Sequence, residues 1–575
     1  MPSRDNYRIL APCIWAVTAW CGGRERHLLA KTLNSSVLIV GAGPAGAVLA
    51  LELARHNVHS MMVERSPAAA HQPKLEYLSG RSMELLRRLD LADKIRACGV
   101  SAEHSTDFLW TSGFDQPPVI VWHHPSVNHV RMRYAAVNDG SAPVEPYQRV
   151  PGSLLEELTR EAVRNHPLID LREGWTCVDL RLEPTGVVAT VVDGGTGGRH
   201  TVQARYLAAC DGVDSTVRRC LEVPLDEIGP RTQYCSVSFQ STDRTLRRFG
   251  PATVTIGARG ATLVSCDEVD TWTGSVPVPA EEPLTVDPLD LFQDQLGATF
   301  DVDRVIGVGQ WEGALAVATK YRKGSAFLVG DAAHQFYPYA GHGANTGIGD
   351  AVDLGWKLAA VVNGWGGSEL LASYEAERRP VALFNRELSA ALHDVYRRFA
   401  RLCAVGMPRE HIAGVLEQEV HQIDDLGVHF GQRYTRSPVV WHESGEAPSW
   451  HWRRIVPTTW PGGRAPAVRL ADGGQLFDRF GTGLTLVDLS GRGTGAPLAA
   501  EAIGRRIPIT HLPVDDPAVR ACWERDLVLV RPDQHVAWRG NDAPADWGVV
   551  LDRVTGHETT RTRHVYGSPA SQTLA

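Results

Sequence analysis

Residues 37–64 read VLIVGAGPAGAVLALELARHNVHSMMVE, and this stretch leaves the chain few folds to choose from. Val37 to Val40 is an apolar run of the kind found in a buried parallel strand. Gly41-Ala42-Gly43-Pro44-Ala45-Gly46 follows as a G-x-G-x-x-G turn. Ala47, Leu49, Leu51 and Leu53 then mark a helix, and a second strand ends at Glu64. Gly41 allows a tight turn, Gly43 lets the backbone approach a pyrophosphate, and Gly46 lets helix and strand pack closely. The helix N-terminus is thereby aimed at the phosphates. Glu64 lies 18 residues beyond Gly46, where an acid can accept from a ribose hydroxyl. Strand, turn, helix and acid together imply dinucleotide binding, whereas an isolated glycine motif would mark only a βα turn.

A chain of 575 residues implies two or three domains. Its net charge of −8 gives no reason to expect nucleic-acid binding. The ten cysteines form no C-x-x-C pair and no metal-ligand spacing, so scattered thiols of a reducing, cytoplasmic compartment are expected and no metal. Ahead of the first strand, Arg4 and Arg8 precede an apolar run from Ile9 to Cys21, broken by Pro12. That pattern is similar to a signal peptide. The preferred reading of residues 1–34 is a disordered extension, because a redox-cofactor turn follows at once. No later stretch is long and apolar enough for a membrane span.

Beyond Glu64 come Arg65-Ser66-Pro67 and Pro73-Lys74, then the helical pattern from Gly80 to Leu89. Lys74 and Arg81 are candidate partners for a diphosphate. Residues 105–145 mix strand-like and loop-like segments. Gln148 to Val163 predicts a helix, and Leu168–Leu182, Val187–Val192 and His200–Ala209 predict strands. At Ala209-Cys210-Asp211-Gly212 a strand ends in an Asp-Gly turn, and Ser215 is placed to cap a following helix. From Arg231 to Gln310, local alternation such as Val254 with Ile256 predicts an antiparallel sheet in a separate lobe.

Ala326 to Val329 predicts a buried strand, with Gly330-Asp331-Ala332-Ala333-His334 at its carboxyl end. Pro338 and the glycine-rich loop Gly341-His342-Gly343-Ala344-Asn345-Thr346-Gly347 follow, and a helix is predicted from Ile348 to Val362. An acid at a strand end can hold a polyol hydroxyl. A helix N-terminus offers N–H groups and positive partial charge to an electron-rich group.

These three stretches, in this order, resemble the FAD-dependent aromatic hydroxylases typified by p-hydroxybenzoate hydroxylase. The likeness covers residues 35–400. Gly341 to Ala360, with NTGIGDAVDLGWKLAA inside it, is similar to the larger phenol-hydroxylase branch, which includes many polyketide-tailoring hydroxylases of antibiotic biosynthesis. The resemblance implies FAD as cofactor, NADPH or NADH as co-substrate, O2, a small aromatic substrate and a monomer or homodimer. It implies FAD contacts from Gly41, Gly43, Pro44, Ala45, Gly46, Glu64, Arg65, Lys74, Arg81, Asp211, Gly212, Gly330, Asp331, Pro338, Gly341, Gly343, Ala344 and Asn345. Glu64 would bind the adenosine ribose and Asp331 the ribitol. Three positions depart from the family pattern: Lys74 stands for Arg after Pro73, Gly152 for Gln, and Ala340-Gly341-His342-Gly343-Ala344 for Gly-Gly-x-Gly-Met.

The resulting layout is an α/β chain. A Rossmann-like FAD-binding domain (35–400) carries an inserted substrate lobe at about 107–145 and 225–317. A helical linker follows at 401–456, and a thioredoxin-like domain at 457–575. Ser373–Arg401 predicts a long helix in which Glu375, Glu377, Arg378 and Arg379 form an exposed face. The C-terminal domain has Cys522 alone, so a structural rather than a thiol–disulfide role is expected. Trp450-His451-Trp452 predicts a packed or interdomain aromatic cluster. The implied activity is NAD(P)H- and O2-dependent hydroxylation of an electron-rich phenol or polyketide through a flavin C4a-hydroperoxide. Tyr337 and His342, with Tyr339, flank the loop and are the candidate catalytic side chains. Baeyer–Villiger insertion is the alternative on the same scaffold. A catalytically silent flavin- or ligand-binding protein is the alternative of another class.

Overall fold

The computed structural model describes residues 32–69, 75–279 and 285–557. Five parallel strands form the centre of the first domain, in the order Ala326–Leu328, Arg199–Ala209, Thr32–Val40, Ser60–Glu64 and Ile169–Glu173. The first strand starts at Thr32, so Thr32, Leu33 and Asn34 belong to the sheet and not to an extension. They pair in register with Thr201, Val202 and Gln203, because the long neighbouring strand carries the ladder past the apolar run. The rest of the predicted extension lies outside the described residues, as does Lys74. The predicted strand 168–182 is divided at Gly174 into Ile169–Glu173 and Trp175–Glu183, and the second part turns back antiparallel with Gly186–Asp193.

The predicted helix from Gln148 begins as a strand. Gln148–Pro151 pairs with Leu75–Leu78, and the helix runs from Gly152 to Arg164. Pro151 accounts for this, since the residue before a proline is driven to extended backbone. The lobe is a seven-stranded sheet built from Phe108–Thr111, Ile120–Trp122 and the strands between Thr232 and Gly313. Its pairs are antiparallel except Val254–Gly257 with Phe108–Thr111. Phe239, Phe292 and Phe300 fill one side; Trp110 and Trp122 pack on Leu392, Val395 and Phe399 of the long helix Ser368–Ala404 on the other.

The linker is helical only in part. Arg409–Glu417 and Leu426–Phe430 are helices, and from Gly431 to Pro457 the chain is irregular, in a stretch that includes Pro438 and Pro448. Trp450 and Trp452 pack edge to face there, and each donates its indole N–H to a backbone carbonyl. The last domain has the strand order Ile509–Pro513, Leu484–Asp488, Leu527–Val530, Val536–Gly540. The first pair is parallel and the others antiparallel, which with three helices among the described residues is a thioredoxin-like arrangement. Burial pushes the Cys522 thiol up to about 11, and its Sγ donates to the Ala518 carbonyl at 3.3 Å. Among the described residues no helix is long and apolar enough to cross a membrane.

The domains are joined by a buried ionic network. Arg531 of the C-terminal domain donates to Glu377 Oε1 (2.7 Å), Asp353 Oδ1 (2.9 Å) and Asp533 Oδ2 (2.6 Å). Lys357 donates to Asp353 at 2.7 Å and Glu377 at 2.5 Å. Trp356 and Tyr434 present their rings to the Arg531 guanidinium at 5.0 and 5.1 Å. Glu377 and Arg378, expected on an exposed face, are therefore buried, at 1% and 4% exposure. The buried charges of this helix persist because each meets an opposite charge. Glu375 accepts from Tyr321 N, and Arg379 donates to the Ala318 carbonyl.

Arg531→Met would leave three buried carboxylates facing one lysine. It is expected to cost about 3–5 kcal/mol in urea denaturation; a loss under about 1 kcal/mol would show the network to be dispensable. Cys522→Ser is expected to keep wild-type FAD content and turnover, and a folded variant without turnover would establish a redox role for the thiol.

Candidate active site

Two glycines of the first turn are required by contact. A β-carbon on Gly41, whose φ is +104°, would lie 2.2 Å from the Cys210 carbonyl oxygen. One on Gly46 would lie 2.1 Å from the Gly41 oxygen. Gly43 differs: nothing stands within 4 Å of its β-carbon position, so the backbone is open there. Gly43 also N-caps the helix Pro44–Arg55, which has no side-chain cap and no acid in its first turn. Its first N–H groups are left for an anionic ligand. Glu64 accepts from Ala42 N at 2.7 Å and Ser66 N at 2.8 Å, which holds its carboxylate against the turn. Arg65 beside it is exposed.

Gly330, Ala45 and Gly347 meet where three elements cross. A β-carbon on Gly330 would be 3.2 Å from Ala45 Cβ, and one on Gly347 would be 3.2 Å from Gly330 Cα. The predicted loop Gly341–Gly347 is in fact mostly helix, since the helix runs from His342 to Val362. Gly341, at φ +65°, ends the turn Pro338–Ala340 and caps this helix without a side chain. Gly341 thus serves loop conformation, whereas Gly347 serves close packing. Asp331 is exposed on the near side, its Oδ1 4.0 Å from the β-carbon position of Gly343. Ala344 is half-buried. Asn345 is spent within the protein: it accepts from Ser79 N (2.8 Å) and Ser82 Oγ (2.5 Å) and donates to the Tyr77 (2.7 Å) and Gly341 (2.6 Å) carbonyls.

The Asp-Gly turn closes the third side. Asp211 Oδ2 accepts from Val217 N at 3.0 Å, while its Oδ1 is buried with no partner in the protein. Ser215 caps the short helix Thr216–Cys220 as the spacing predicts. Arg218 then donates to the Ala332 and Val213 carbonyls, both at 3.0 Å, and so ties this turn to the Gly-Asp turn. Asp350 joins these parts. It accepts from His334 Nε2 (2.9 Å), Arg378 Nε (2.8 Å) and Gly330 N (3.3 Å). Burial works to raise its carboxyl, but Arg378 and His334 outweigh that and hold it below the usual range. The only hint in the sequence was an acid in the apolar stretch GIGDAVDLGW. Two helix N-termini without side-chain caps, an open glycine backbone and an orphaned carboxylate oxygen fit a ligand bearing phosphates and a polyol.

Not every candidate is brought there. Arg81 turns to the C-terminal domain, donating to the Asp533 carbonyl at 2.6 Å and to Gln534, so it is not free to pair with a diphosphate. Its helix packs under that domain, a contact that local sequence does not encode. Tyr337 is buried, its hydroxyl 3.1 Å from Thr232 Oγ1, and its ring stacks on His393 at 4.2 Å. His342 is buried beside Asp425 and His429, and burial and His429 push its imidazole down to about 4. An aromatic ladder follows the boundary between core and lobe: Trp110 on Tyr396 (5.0 Å), Tyr396 on Tyr339 (4.3 Å), and Tyr234 on Trp311 (4.3 Å). The Tyr234 and Tyr339 hydroxyls are hydrogen-bonded at 2.8 Å.

The fold and the converging turns define a nucleotide-cofactor flavoprotein with an attached lobe. Residues 34–385 match the family model described as an FAD binding domain, and residues 458–557 match the one described as aromatic-ring hydroxylase, C-terminal. The FAD-dependent monooxygenase apdD of Emericella nidulans is 34% identical, covering 90% of this chain and 89% of its own. Tetracenomycin B2 monooxygenase-dioxygenase of Streptomyces olivaceus is 30% identical over 92% and 99%. Among solved structures, RebC-10x, native and K252c-bound, superposes with a TM-score of 0.81 at 30% identity, covering 92% of this chain and 100% of that one. Aklavinone-11 hydroxylase, solved with FAD and aklavinone, gives 0.76 at 26% identity over 91% and 99%. The chain belongs to the FAD-dependent aromatic-ring hydroxylases and is an FAD-dependent monooxygenase.

Asp331→Ala is expected to weaken FAD binding roughly tenfold or more, the worth of about 1.5–3 kcal/mol for a charge-assisted bond. Titration of the deflavinated variant measures it, and unchanged affinity would remove Asp331 from the site.

Proposed function

We propose that this chain hydroxylates an electron-rich aromatic ring, a phenol or a polyketide, in the cytoplasm, with O2 as oxidant and NADH or NADPH as reductant. Bound FAD supplies the redox and oxygen-transfer chemistry. The observation that carries the reading is the convergence of Asp331, the open Gly43 turn and the uncapped N-terminus of His342–Val362 on one slot. Asp331 would hold the ribitol and Glu64 the ribose. The helix N-terminus favours negative charge on a group next to it.

The aromatic ladder supports a planar substrate. Tyr234, Tyr339 and Tyr396 form a flat aromatic wall at the lobe boundary, and burial pushes the Tyr234 phenol up to about 12. The names of relatives agree with an aromatic substrate: 4-methyl-5-nitrocatechol 5-monooxygenase of a Burkholderia species is 28% identical over 89% of this chain and 95% of its own. Among the described residues the Rossmann-like sheet is the one parallel nucleotide-binding fold, so nicotinamide would meet the flavin at a shared surface. Substrate would then favour the reducible arrangement through its different affinity for the two states.

The test is anaerobic stopped-flow reduction by NADH and NADPH with and without a panel of phenols and polyketides, followed by aerobic turnover in 18O2. Substrate-stimulated reduction and a product carrying one labelled hydroxyl are expected. A labelled ester or lactone would move the reading to Baeyer–Villiger insertion. An FAD-loaded protein that consumes no O2 with any compound of the panel would make it a binding protein.

A further inference from the structure

Two clusters of ligand-type side chains lie near the helix His342–Val362. In the first, Asp353, Glu377 and Asp533 converge, but Arg531 and Lys357 already neutralise them. The second is different. One ligand atom from each of His342, Asp425 and His429 lies within 4.8 Å of the other two. His342 is 4% exposed and its Nδ1 has no hydrogen-bond partner. The His429 side chain is 9% exposed, and its Nε2 also has none. That nitrogen is only 3.1 Å from Asp425 Oδ2, yet the contact lacks hydrogen-bond geometry. His342 and His429 also line a polar cavity of about 40 Å³, room enough for a few waters.

We propose that His342, Asp425 and His429 bind a divalent first-row metal ion of the zinc class, with water completing its coordination. Two imidazoles and one carboxylate are a borderline-soft donor set that suits Zn2+ better than Mg2+ or Ca2+. Asp425 and His429 stand one helical turn apart, so a single turn presents both. His342 comes from the first turn of the helix beside Asp331. Bonds of about 2.0–2.2 Å to one ion require the three side chains to close inward. The ion would tie the linker segment to the start of that helix and give a partner to the two imidazoles, each of which has a buried nitrogen without one. No oxidation or oxygen step is assigned to it, and the proposal stands apart from the hydroxylase reading.

The experiment uses the full-length FAD-loaded protein, stripped with EDTA and dialysed against buffered Zn2+. Metal and flavin are both counted, the metal by mass spectrometry. One zinc per chain is expected, with a nitrogen/oxygen shell containing imidazole by X-ray absorption. His429→Ala and Asp425→Asn are each expected to lower zinc affinity at least 100-fold while circular dichroism and FAD content hold; His342→Gln is the conservative third variant. Less than 0.1 zinc per chain overturns the proposal, as does undiminished zinc in folded variants. If the variants misfold, the wild-type absorption spectrum decides, since sulfur in the shell would place the ion on cysteines instead. An FAD-free protein that still takes up one zinc would fail the flavin reading and leave this one standing.

Discussion

The candidate active site depends on one steric condition: Gly330, Ala45 and Gly347 must touch almost backbone to backbone. That contact brings a strand end and two helix N-termini to the same place. Any larger side chain there would push apart the turn that meets phosphate and the turn that presents Asp331. Close packing is rigid over such distances, so the whole slot would open rather than one contact adjust. The glycines in the first turns of His342–Val362 cost roughly 1 kcal/mol each in helix propensity. Gly347 and Gly349 offset that by approach, Gly347 to Gly330 and Gly349 to Arg378.

Polar bonds then fix what the small residues allow. Asp350 holds Gly330, His334 and Arg378 on one carboxylate, and Arg378 also donates to the Thr346 carbonyl. Three residues further along the same helix, Asp353 enters the network of Arg531, Lys357 and Glu377. The helix whose N-terminus faces Asp331 is thereby clamped to the C-terminal domain through its middle. The thioredoxin-like domain, whose thiol is buried, has a structural use here: it supplies the arginine that neutralises buried acids of its neighbour. Buried ion pairs rarely add much net stability, but they specify which surfaces may meet.

Much of the site was legible because its chemistry is local. The spacing Gly41, Gly43, Gly46 and Glu64 dictates a turn, a helix and an acid within one βαβ unit. Asp211-Gly212 with the Ser215 cap, and Gly330-Asp331 after a buried strand, are equally short-range. The misreadings came where a residue's partner is remote in sequence. Arg81 is claimed by Asp533 and Gln534, and Glu377 is buried by Arg531. Gln148–Pro151 is a strand, not helix, because it pairs with Leu75–Leu78 far upstream. His342, Asp425 and His429 share no local spacing that would announce them as a group.

The sequence by itself determined the dinucleotide-binding class, the order of the three turns and the Rossmann-like pattern, which follow from periodicity and from glycine and acid placed within a few tens of residues. Its resemblance to a family implied FAD and the thioredoxin-like domain. Only the tertiary structure decided which charges are buried, which glycines are there for contact, and which side chains converge. Those outcomes depend on pairs such as Glu377 with Arg531, 154 positions apart, and Asn345 with Ser79, 266 apart. Separations of that size carry no local signal, and the three-dimensional packing of the domains alone brings such partners within hydrogen-bonding distance.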